Sequence, residues 1–573
     1  MRRLSRFLVP FKKQVILGPL FKLTEAVLEL FIPLIMMRII DIGVANGDTA
    51  YIWRMGGLML LVSLAGYGFA LLCQYYASLA AQGVGTNMRN AVFSHISRLS
   101  FAELDRFGTP TLINRVTTDI NQLQWAVAML IRLVMRSPFL CVGGFVMAML
   151  IDAKMSLIIL GVILVFGLIL YATMTRSVPL FRRVQQRLDT LSRILRENLS
   201  GVRVIRAFAR VDAENRRFDA AVDAHAEATI DVSRIAALVN PLTSLVMNAG
   251  ILALIYFGAI RVNSATLTTG QVIALINYVV DILASMLVVA NLVSVFTKAA
   301  ASAARVNELF DTKASIVDGP GAQAQEHAPL LQFENVSFRY ADAAADALEG
   351  ISVTLQKGET LGIIGGTGSG KTTLANLLCR FYDATEGRVL FFGADVKHYT
   401  LHALRGQIGI VPQKSILFSG TLRENLRYGN EQAPDEALWE ALDAAQAQFV
   451  RKFPDGLDTR VLQGGVNFSG GQRQRLCIAR ALVRKPALLI LDDAASALDY
   501  MTEAALRREL HKRTGMAVVQ ITQRAASILH ADRILVLEDG AIAGLGTHEE
   551  LKAGCALYRE ILKSQELLGE EIA

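Results

Sequence analysis

At 573 residues the chain is too long for a single domain, and a hydrophobic share of 53% with mean hydropathy +0.38 is high for a protein surrounded by water. The formal net charge of +7 gathers in particular loops, which reads as membrane orientation and not as nucleic-acid binding. The five cysteines (Cys73, Cys141, Cys379, Cys477, Cys555) show no paired spacing, so a disulfide framework or a cysteine metal site is not expected. Met1-Arg2-Arg3 runs into mixed sequence without the short apolar core of a removable signal peptide.

Six apolar spans follow one another through the first ~300 residues, each long enough by the ~18-residue rule to cross a bilayer: Val15–Ile40, Trp53–Ala80, Trp125–Ile151, Leu157–Thr175, Ile235–Ile260 and Gln271–Phe296. The loops after the second and fourth spans are long and basic, with Arg89, Arg98, Arg106 and Arg115 in one and a dense series from Arg182 to Arg217 in the other. The short loop Asp41–Thr49 has no Lys or Arg. Positive charge therefore predicts both long loops and the N-terminus in the cytoplasm of a multi-pass cell-membrane protein. The long loops keep helical periodicity, so the membrane helices are expected to continue beyond the bilayer. Glu25 and Glu29 share one face of the first span, and Asp281 lies in the sixth. Charge at that depth marks either a cavity for cationic amphiphiles or structural pairing with Lys22, Arg38 or another helix. Asn248, Asn277, Tyr278 and Asn291 line such a cavity or bridge helices.

Composition shifts after Ala299, and Asp318-Gly319-Pro320-Gly321 with the Ala/Gln run behind it reads as a linker. Beyond it, short apolar strands alternate with helical stretches to about Glu570, which predicts an α/β domain. The expected organisation is an all-α six-helix transmembrane domain over residues 1–310, a linker over 311–330 and an α/β nucleotide-binding domain over 331–573. No internal repeat is visible.

Thr360–Ile364 is a buried-strand pattern that runs into Gly365-Gly366-Thr367-Gly368-Ser369-Gly370-Lys371-Thr372, and Thr373–Leu377 continues as a helix. Strand, glycine loop and helix in this order predict a phosphate loop. Glycines let successive backbone N–H groups turn toward an anion, and the helix N-terminus adds partial positive charge. Lys371 would reach the β- and γ-phosphates, and the Thr372 hydroxyl would ligate Mg²⁺. Asp492 ends the apolar run Leu488–Leu491 and is expected to hold the same Mg²⁺, directly or through water.

Phe468-Ser469-Gly470-Gly471-Gln472-Arg473-Gln474-Arg475 precedes a helix and offers a second anion-binding helix start. With this motif the chain resembles the ATP-binding cassette (ABC) transporters, whose signature is the Ser469–Gln472 run. The resemblance covers the whole chain and implies ATP and Mg²⁺ as cofactors. It assigns Tyr340 to stacking on adenine, Gln413 to the glutamine that links Mg²⁺ to the membrane domain, and Ser496-Ala497-Leu498-Asp499 to a loop that crosses to a partner cassette. It implies that ATP lies between the phosphate loop of one cassette (Gly365–Thr373) and the signature (Ser469, Gly470, Gly471, Gln472) of another. It also implies two short segments that couple the cassette to the membrane helices, placed at Thr109–Ile120 and Gly201–Val211.

The sequence departs from the family pattern at three positions. Asp493 stands where cassettes that hydrolyse well place Glu as general base, and Gln523 stands where a histidine contacts the γ-phosphate. Gln463 stands where related exporters often have Glu. A carboxylate one methylene shorter sits farther from the proton it must take, and glutamine cannot carry positive charge. The combination resembles the degenerate-site subunit of heterodimeric bacterial multidrug exporters. It implies an ATP-driven export half for drugs or other hydrophobic compounds, embedded in the lipid bilayer, with weak hydrolysis at its own site. Its signature would complete the active site of an unlike partner chain. The alternatives are a homodimeric exporter, a lipid or glycolipid flippase, and an ATP-gated channel or regulatory subunit.

Overall fold

The structure is a computed structural model and describes residues 4–322, 325, 327–341 and 343–566. Met1-Arg2-Arg3, part of the expected linker (Gln323, Ala324, Glu326) and the end of the chain after Glu566 lie outside the described residues.

Contacts divide the chain into two units. The first comprises residues 4–97 and Pro110–Thr312 and is helical. Its helices are α1 (Lys12–Arg38), α2 (Thr49–Ile96), then, past α3 (Phe101–Phe107), the run α4 (Thr109–Asn114), α5 (Ile120–Met129) and α6 (Arg136–Ile151), joined by π-helical turns at Arg115–Asp119 and Leu130–Val134. After them come α7 (Ala153–Ser200), α8 (Val202–Ala207), α9 (Val211–Asn263) and α10 (Thr269–Asp311). Among the described residues five helices are long and apolar enough to span a bilayer: α2, the α4–α6 run, α7, α9 and α10. Helix α1 covers the first expected span but carries Lys22, Glu25 and Glu29 within it. At 1.5 Å per residue a 48-residue helix such as α2 or α7 is about 72 Å long. That is more than twice the ~30 Å of a hydrocarbon core, as the helical pattern of the basic loops predicts.

The two acids of the first span are paired. Lys22 Nζ lies 2.6 Å from Glu25 Oε2, and Arg136 Nη2 lies 2.7 Å from Glu29 Oε2. The structural reading of Glu25 and Glu29 therefore holds, with Arg136 of α6 as the partner of Glu29. The buried Tyr278 hydroxyl donates to the Leu30 carbonyl, 2.7 Å away, so this tyrosine bridges α10 to α1. Nearer the ends of the helices, Arg115 is buried against Glu308 at 2.7 Å, and Arg305 Nε donates to Asp119 Oδ2 at 2.9 Å. These bonds tie the π turn at Arg115–Asp119 to α10.

The second unit comprises Arg98–Thr109 and the chain from Lys313 onward. Its strands are β1 (Leu331–Phe338), β2 (Leu348–Leu355), β3 (Thr360–Gly365), β4 (Glu386–Phe391), β5 (Ala394–Asp395), β6 (Ile408–Val411), β7 (Gly420–Thr421), β8 (Arg460–Val461), β9 (Leu488–Asp492), β10 (Ala517–Ile521), β11 (Arg533–Glu538) and β12 (Ala541–Gly546). An antiparallel sheet has the order β2-β1-β4-β5, and a six-stranded sheet has the order β12-β11-β3-β10-β9-β6. In the larger sheet β11, β3, β10, β9 and β6 run parallel. β3 and β9 are buried along nearly their whole length, as the unbroken apolar runs dictate for strands covered on both faces. The helices are α11 (Lys371–Leu378), α12 (Leu401–Gly406), α13 (Leu422–Arg427), α14 (Asp435–Ala444), α15 (Gly470–Val483), α16 (Tyr500–His511), α17 (His548–Gly554) and α18 (Ala556–Ser564). One apolar core joins both sheets to α11, and another joins β6 and β9 to α13, α14 and α15.

The segment that groups with the ATPase unit is Arg98–Thr109, whereas Thr109–Ile120, the first expected coupling segment, falls in the helical unit from Pro110 on. Helix α3 is opened by a capping box between Ser100 and Glu103 and closed by Gly108 at φ +71°. Phe101 lies 4.4 Å from Phe381 by ring centroids, and the Tyr382 hydroxyl donates to Asp105 at 2.5 Å. Ser100 Oγ also accepts from the Ile316 backbone at 3.0 Å. The second expected segment contains the short helix α8, whose Val204 is 60% exposed and whose C-cap residue Phe208 is 74% exposed, so neither is buried within the chain.

Candidate functional site

The parallel strands end on the same side, and the candidate residues sit on those ends. Register aligns Ile521 of β10 with Ile363 of β3 and with Asp492 of β9. The loops leaving β3, β9, β10 and β6 therefore meet at the carboxyl edge, the usual ligand position of an open α/β sheet. They enclose a pocket of about 300 Å³ lined by Tyr340, Ala347, residues 367–373, Gln413, Asp492, Asp493, Ile521, Thr522 and Gln523.

The phosphate loop is shaped by positive-φ glycines. Gly368 has φ +86° and Gly370 +95°, and a Cβ on Gly370 would come within 2.6 Å of the Ala347 carbonyl. No other residue type meets both demands at low cost. Lys371 is the first residue of α11 and is 8% exposed. Its Nζ donates to the carbonyls of Gly365 at 2.9 Å and Gly366 at 2.5 Å, and to Ser369 Oγ at 3.2 Å. Burial lowers its pKa from the usual ammonium range, while Asp492 and Asp493 pull it back up. A buried ammonium at a helix start, bonded only to neutral oxygens, favours a phosphate anion.

Asp492 is 5% exposed and accepts from Thr372 Oγ1 at 3.4 Å. Burial raises its pKa above the usual carboxylate range, Thr372 lowers it by its hydrogen bond, Asp493 raises it further and Lys371 lowers it. A buried carboxylate facing a hydroxyl, with Gln413 on the same pocket, is an all-oxygen donor set. That set suits a hard cation such as Mg²⁺. Among the described residues no group of three or more His, Cys, Asp and Glu forms a soft or acidic metal site. All five cysteines are free, and burial pushes the Cys379 thiol up to about 12.

Tyr340 lines the pocket from the end of β1. Its hydroxyl is 3.1 Å from Thr373 Oγ1, and its ring meets Phe338 and Tyr382 edge-on at 4.8 and 5.4 Å. These contacts fix the ring at the edge of the pocket.

Asp493 occupies the left-handed region at φ +50°, a conformation that Asp tolerates better than most residues. Its backbone is fixed from three sides. Its N–H donates to the Ile521 carbonyl at 2.9 Å, and its carbonyl accepts from Gln474 Nε2 at 3.1 Å and from Ser496 Oγ at 2.8 Å. Gln523 follows β10 by two residues, and its carbonyl accepts from Gln565 Nε2 at 2.8 Å.

The Ser469–Gln472 run is not part of this pocket. It opens the 14-residue helix α15 with a reciprocal cap. Ser469 Oγ accepts from the Gln472 backbone at 3.3 Å, and Gln472 Oε1 accepts from the Ser469 backbone at 2.9 Å. Gly471 would place a Cβ 2.8 Å from the Ala497 carbonyl, so the glycine allows the Ser496–Asp499 loop to lie against the helix start. The structure thus brings the phosphate loop, Gln413, Asp492, Asp493 and Gln523 together and leaves the signature apart.

Gln474 is the functional residue that sequence reasoning passed over. It is 3% exposed, donates to the Asp493 carbonyl, and accepts from the Ala497 backbone at 3.1 Å. Arg524 Nη2 donates to the Ser496 carbonyl at 3.0 Å. One side chain of α15 thus joins the signature helix to the position after Asp492 and to the crossing loop.

Fold and pocket define a phosphate-loop ATPase fused behind a helical membrane unit. The family models for the ABC transporter transmembrane region and for the ABC transporter match residues 15–286 and 348–496, respectively. The chain is 40% identical to an uncharacterized ABC transporter ATP-binding protein of Mycobacterium tuberculosis, over 98% of both chains. It is 32% identical to a putative multidrug export ATP-binding/permease protein of Bacillus subtilis, over 99% of both. It is also 32% identical to an ATP-dependent lipid A-core flippase of Chromohalobacter salexigens, over 98% of this chain and 97% of that one. Among solved structures, a bacterial Atm1-family ABC exporter with ATP bound superposes with TM-score 0.80 at 25% identity over 99% of both chains. The chain belongs to the ABC transporter family. It is a multi-pass membrane exporter half of the ATP-hydrolysing kind, with its membrane and ATPase domains on one polypeptide.

Proposed function

We propose that this chain is the weakly hydrolysing half of a heterodimeric ABC exporter that moves drugs or other hydrophobic compounds out of the cell. The observation that carries the reading is the uneven pocket. The groups that hold nucleotide (Tyr340, Gly365–Thr373, Gln413, Asp492) are complete, while the two that would act on the attacking water and the γ-phosphate are Asp493 and Gln523. Lys371 and the loop amides hold the phosphates. Thr372, Asp492 and Gln413 would hold Mg²⁺, which would neutralise phosphate charge. Asp493 takes up the water's proton from too far away to do it fast, and Gln523 offers a hydrogen bond without charge.

The signature Ser469–Gln472 is intact and lies outside the chain's own pocket, which suits service to a second cassette. Exposed apolar side chains flank it and the crossing loop: Val466 is 72% exposed, Tyr500 70% and Met501 72%. The ATPase unit and N-terminus are assigned to the cytoplasm on the charge of the long loops. Export of hydrophobic cargo is supported by relatives named as a putative multidrug export protein and a multidrug efflux protein. A relative named a lipid A-core flippase makes lipid the second reading for the cargo.

The test is ATP turnover by the purified chain in lipid nanodiscs, alone and mixed with a second half-exporter bearing Glu and His at the matching positions. Slow turnover alone and brisk turnover in the mixture support the heterodimer. Brisk turnover by the chain alone makes it a homodimer. Dye accumulation in inside-out vesicles that needs both chains identifies the pump, and ATP-opened passive conductance would identify a channel instead.

A further inference from the structure

Behind the ATPase loops, α16 leaves a cleft of about 710 Å³ between itself and the large sheet. Leu491 of β9 and Val518 of β10 form the floor, Leu506 and Leu510 of α16 form one wall, and Ser527 and His530 line the far side. Along α16 the cleft runs from Glu503 to His511, about 12 Å at 1.5 Å per residue.

An occupant has to meet three features of this lining at once. The floor and inner wall are apolar. Among the described residues of the lining, Arg507, Arg508, Lys512 and Arg513 stand against one acid, Glu503. Lys512 and Arg513 are engaged by Glu509 and Glu440, whereas Arg507 and Arg508 have no hydrogen-bond or ion-pair partner among the described residues. Glu503 Oε1 is buried and has no hydrogen-bond partner, although Arg507 stands one helical turn along. Buried polar atoms are normally paired, so this orphan calls for a donor. An amine would satisfy the oxygen and meet a wall of like charge. A small anion would suit the arginines and leave the oxygen unpaired. A peptide with acidic side chains meets all three demands, because every residue except proline adds a main-chain N–H donor.

Such a segment leaves the ATPase unit beside the cleft. At the end of α18, Gln565 Nε2 donates to the Gln523 carbonyl and its Oε1 accepts from the Ala525 backbone, both at 2.8 Å. Ser527, two residues beyond Ala525, already lines the cleft. The sequence continues past Glu566 as Leu567-Leu568-Gly569-Glu570-Glu571-Ile572, with three large apolar residues, two acids, no cation and no proline. Six extended residues span about 20 Å, which exceeds the length of the α16 wall.

We propose that residues 567–572 of this chain lie in the cleft as a peptide strap. The leucines rest on Leu491, Leu506 and Val518, a main-chain N–H donates to Glu503, and Glu570 and Glu571 pair with Arg507 and Arg508. The strap meets both loops that end at the nucleotide pocket. Ala494 and Ala495, directly after Asp493, line the cleft, and Ser527 lies four residues beyond Gln523. It therefore steadies the loops that carry Asp493 and Gln523 without entering the nucleotide pocket. Cleft and strap belong to one chain, so the contact does not depend on the identity of the partner.

The experiment is hydrogen exchange by mass spectrometry on the chain alone in nanodiscs, without nucleotide. The full chain is compared with one that stops after Glu566. Removing the segment is expected to speed exchange in residues 500–516 and 520–531 by about tenfold, as loss of a local packing contact does, with MgATP affinity unchanged. R507E/R508E and E570R/E571R should each speed it by roughly fivefold, the worth of two exposed ion pairs. Combining the two double changes restores opposite charges across the contact and should return exchange toward that of the unaltered chain. Exchange left unchanged by truncation assigns the cleft to another occupant and overturns the proposal. Failure of E570R/E571R to rescue R507E/R508E overturns it as well, since a purely structural role of the arginines would give that result.

Discussion

Restoring the two substituted groups is the most direct probe of the uneven pocket. The perturbation is the double change D493E/Q523H, made in the full chain and purified in nanodiscs. General-base assistance is worth ~10²–10⁴-fold, which is about 2.7–5.4 kcal/mol at 1.36 kcal/mol per decade. The opposing cost is local. Position 493 sits at φ +50°, and a left-handed residue costs roughly 1–2 kcal/mol in general. Asp already bears most of that, so exchanging it for Glu adds only a fraction. The backbone cannot easily retreat, because Ile521, Gln474 and Ser496 hold it by hydrogen bonds of 2.8–3.1 Å. The added methylene therefore projects the carboxylate into the pocket. Since Ser469–Gln472 is intact, two copies of the variant supply each other's signature. Phosphate release by the chain alone is expected to rise by about tenfold for D493E and ~10²-fold or more for the double change. ATP affinity, measured with a fluorescent analogue, should move little. If the unaltered chain already turns over as fast as the double variant, the argument from Asp493 and Gln523 is refuted.

Three further outcomes follow from the same geometry. Asp492 has its pKa raised above the ordinary value of 3.8, so its protonated form is favoured in the fold. That stabilisation is full below the unfolded pKa and is lost as pH rises through the folded one. Without nucleotide, D492N should therefore melt at the same temperature as the unaltered chain or higher at neutral pH. Its melting should also lack the fall seen in the unaltered chain as pH rises from 3.8 toward the folded value, and its Mg²⁺-dependent ATP binding should be lost; lower melting than the unaltered chain at pH 7 counts against this. Q474A removes a buried amide that serves both the Asp493 carbonyl and the Ala497 backbone. It should lower unfolding free energy in denaturant by about 1–3 kcal/mol and reduce turnover in a mixture with the active partner, a result that an ordinary surface glutamine would not give. K371A removes the buried ammonium at the start of α11, and equilibrium dialysis should show ATP binding weakened by about 10² or more, since hydrogen bonds to charged groups contribute ~1.5–3 kcal/mol each.

What the sequence made legible was encoded locally. The membrane helices announce themselves by length and apolarity, and their extensions by periodicity. The phosphate loop needs strand, glycines and helix within a few residues, so its form can be read without knowing the rest of the fold. Asp492 was legible because a fully apolar strand precedes it. The misses came from contacts between distant segments. Gln474 looks like one more polar residue in an Arg/Gln-rich run, and only the return of the chain 19 and 23 residues later buries it. Helix α3 carried a usable signal, Ser100 followed by Glu103 and then Gly108, and it groups with the ATPase unit just upstream of the expected segment Thr109–Ile120. Glu29 finds Arg136, which is 107 residues away, so no spacing rule could have paired them.

The arrangement also explains why binding and cutting can vary separately in such a pocket. The groups that would grip phosphate sit on one loop and the first turn of α11, held by the central strand β3 and by glycine geometry that admits few substitutions. The groups at 493 and 523 stand beyond the ends of β9 and β10. Their backbones are set by main-chain and amide bonds that do not consult their own side chains. A change of side chain at either position therefore leaves the cradle in place, and selection on turnover can act there while nucleotide affinity stays as it was. The same separation is what makes D493E/Q523H a test of chemistry and not of folding.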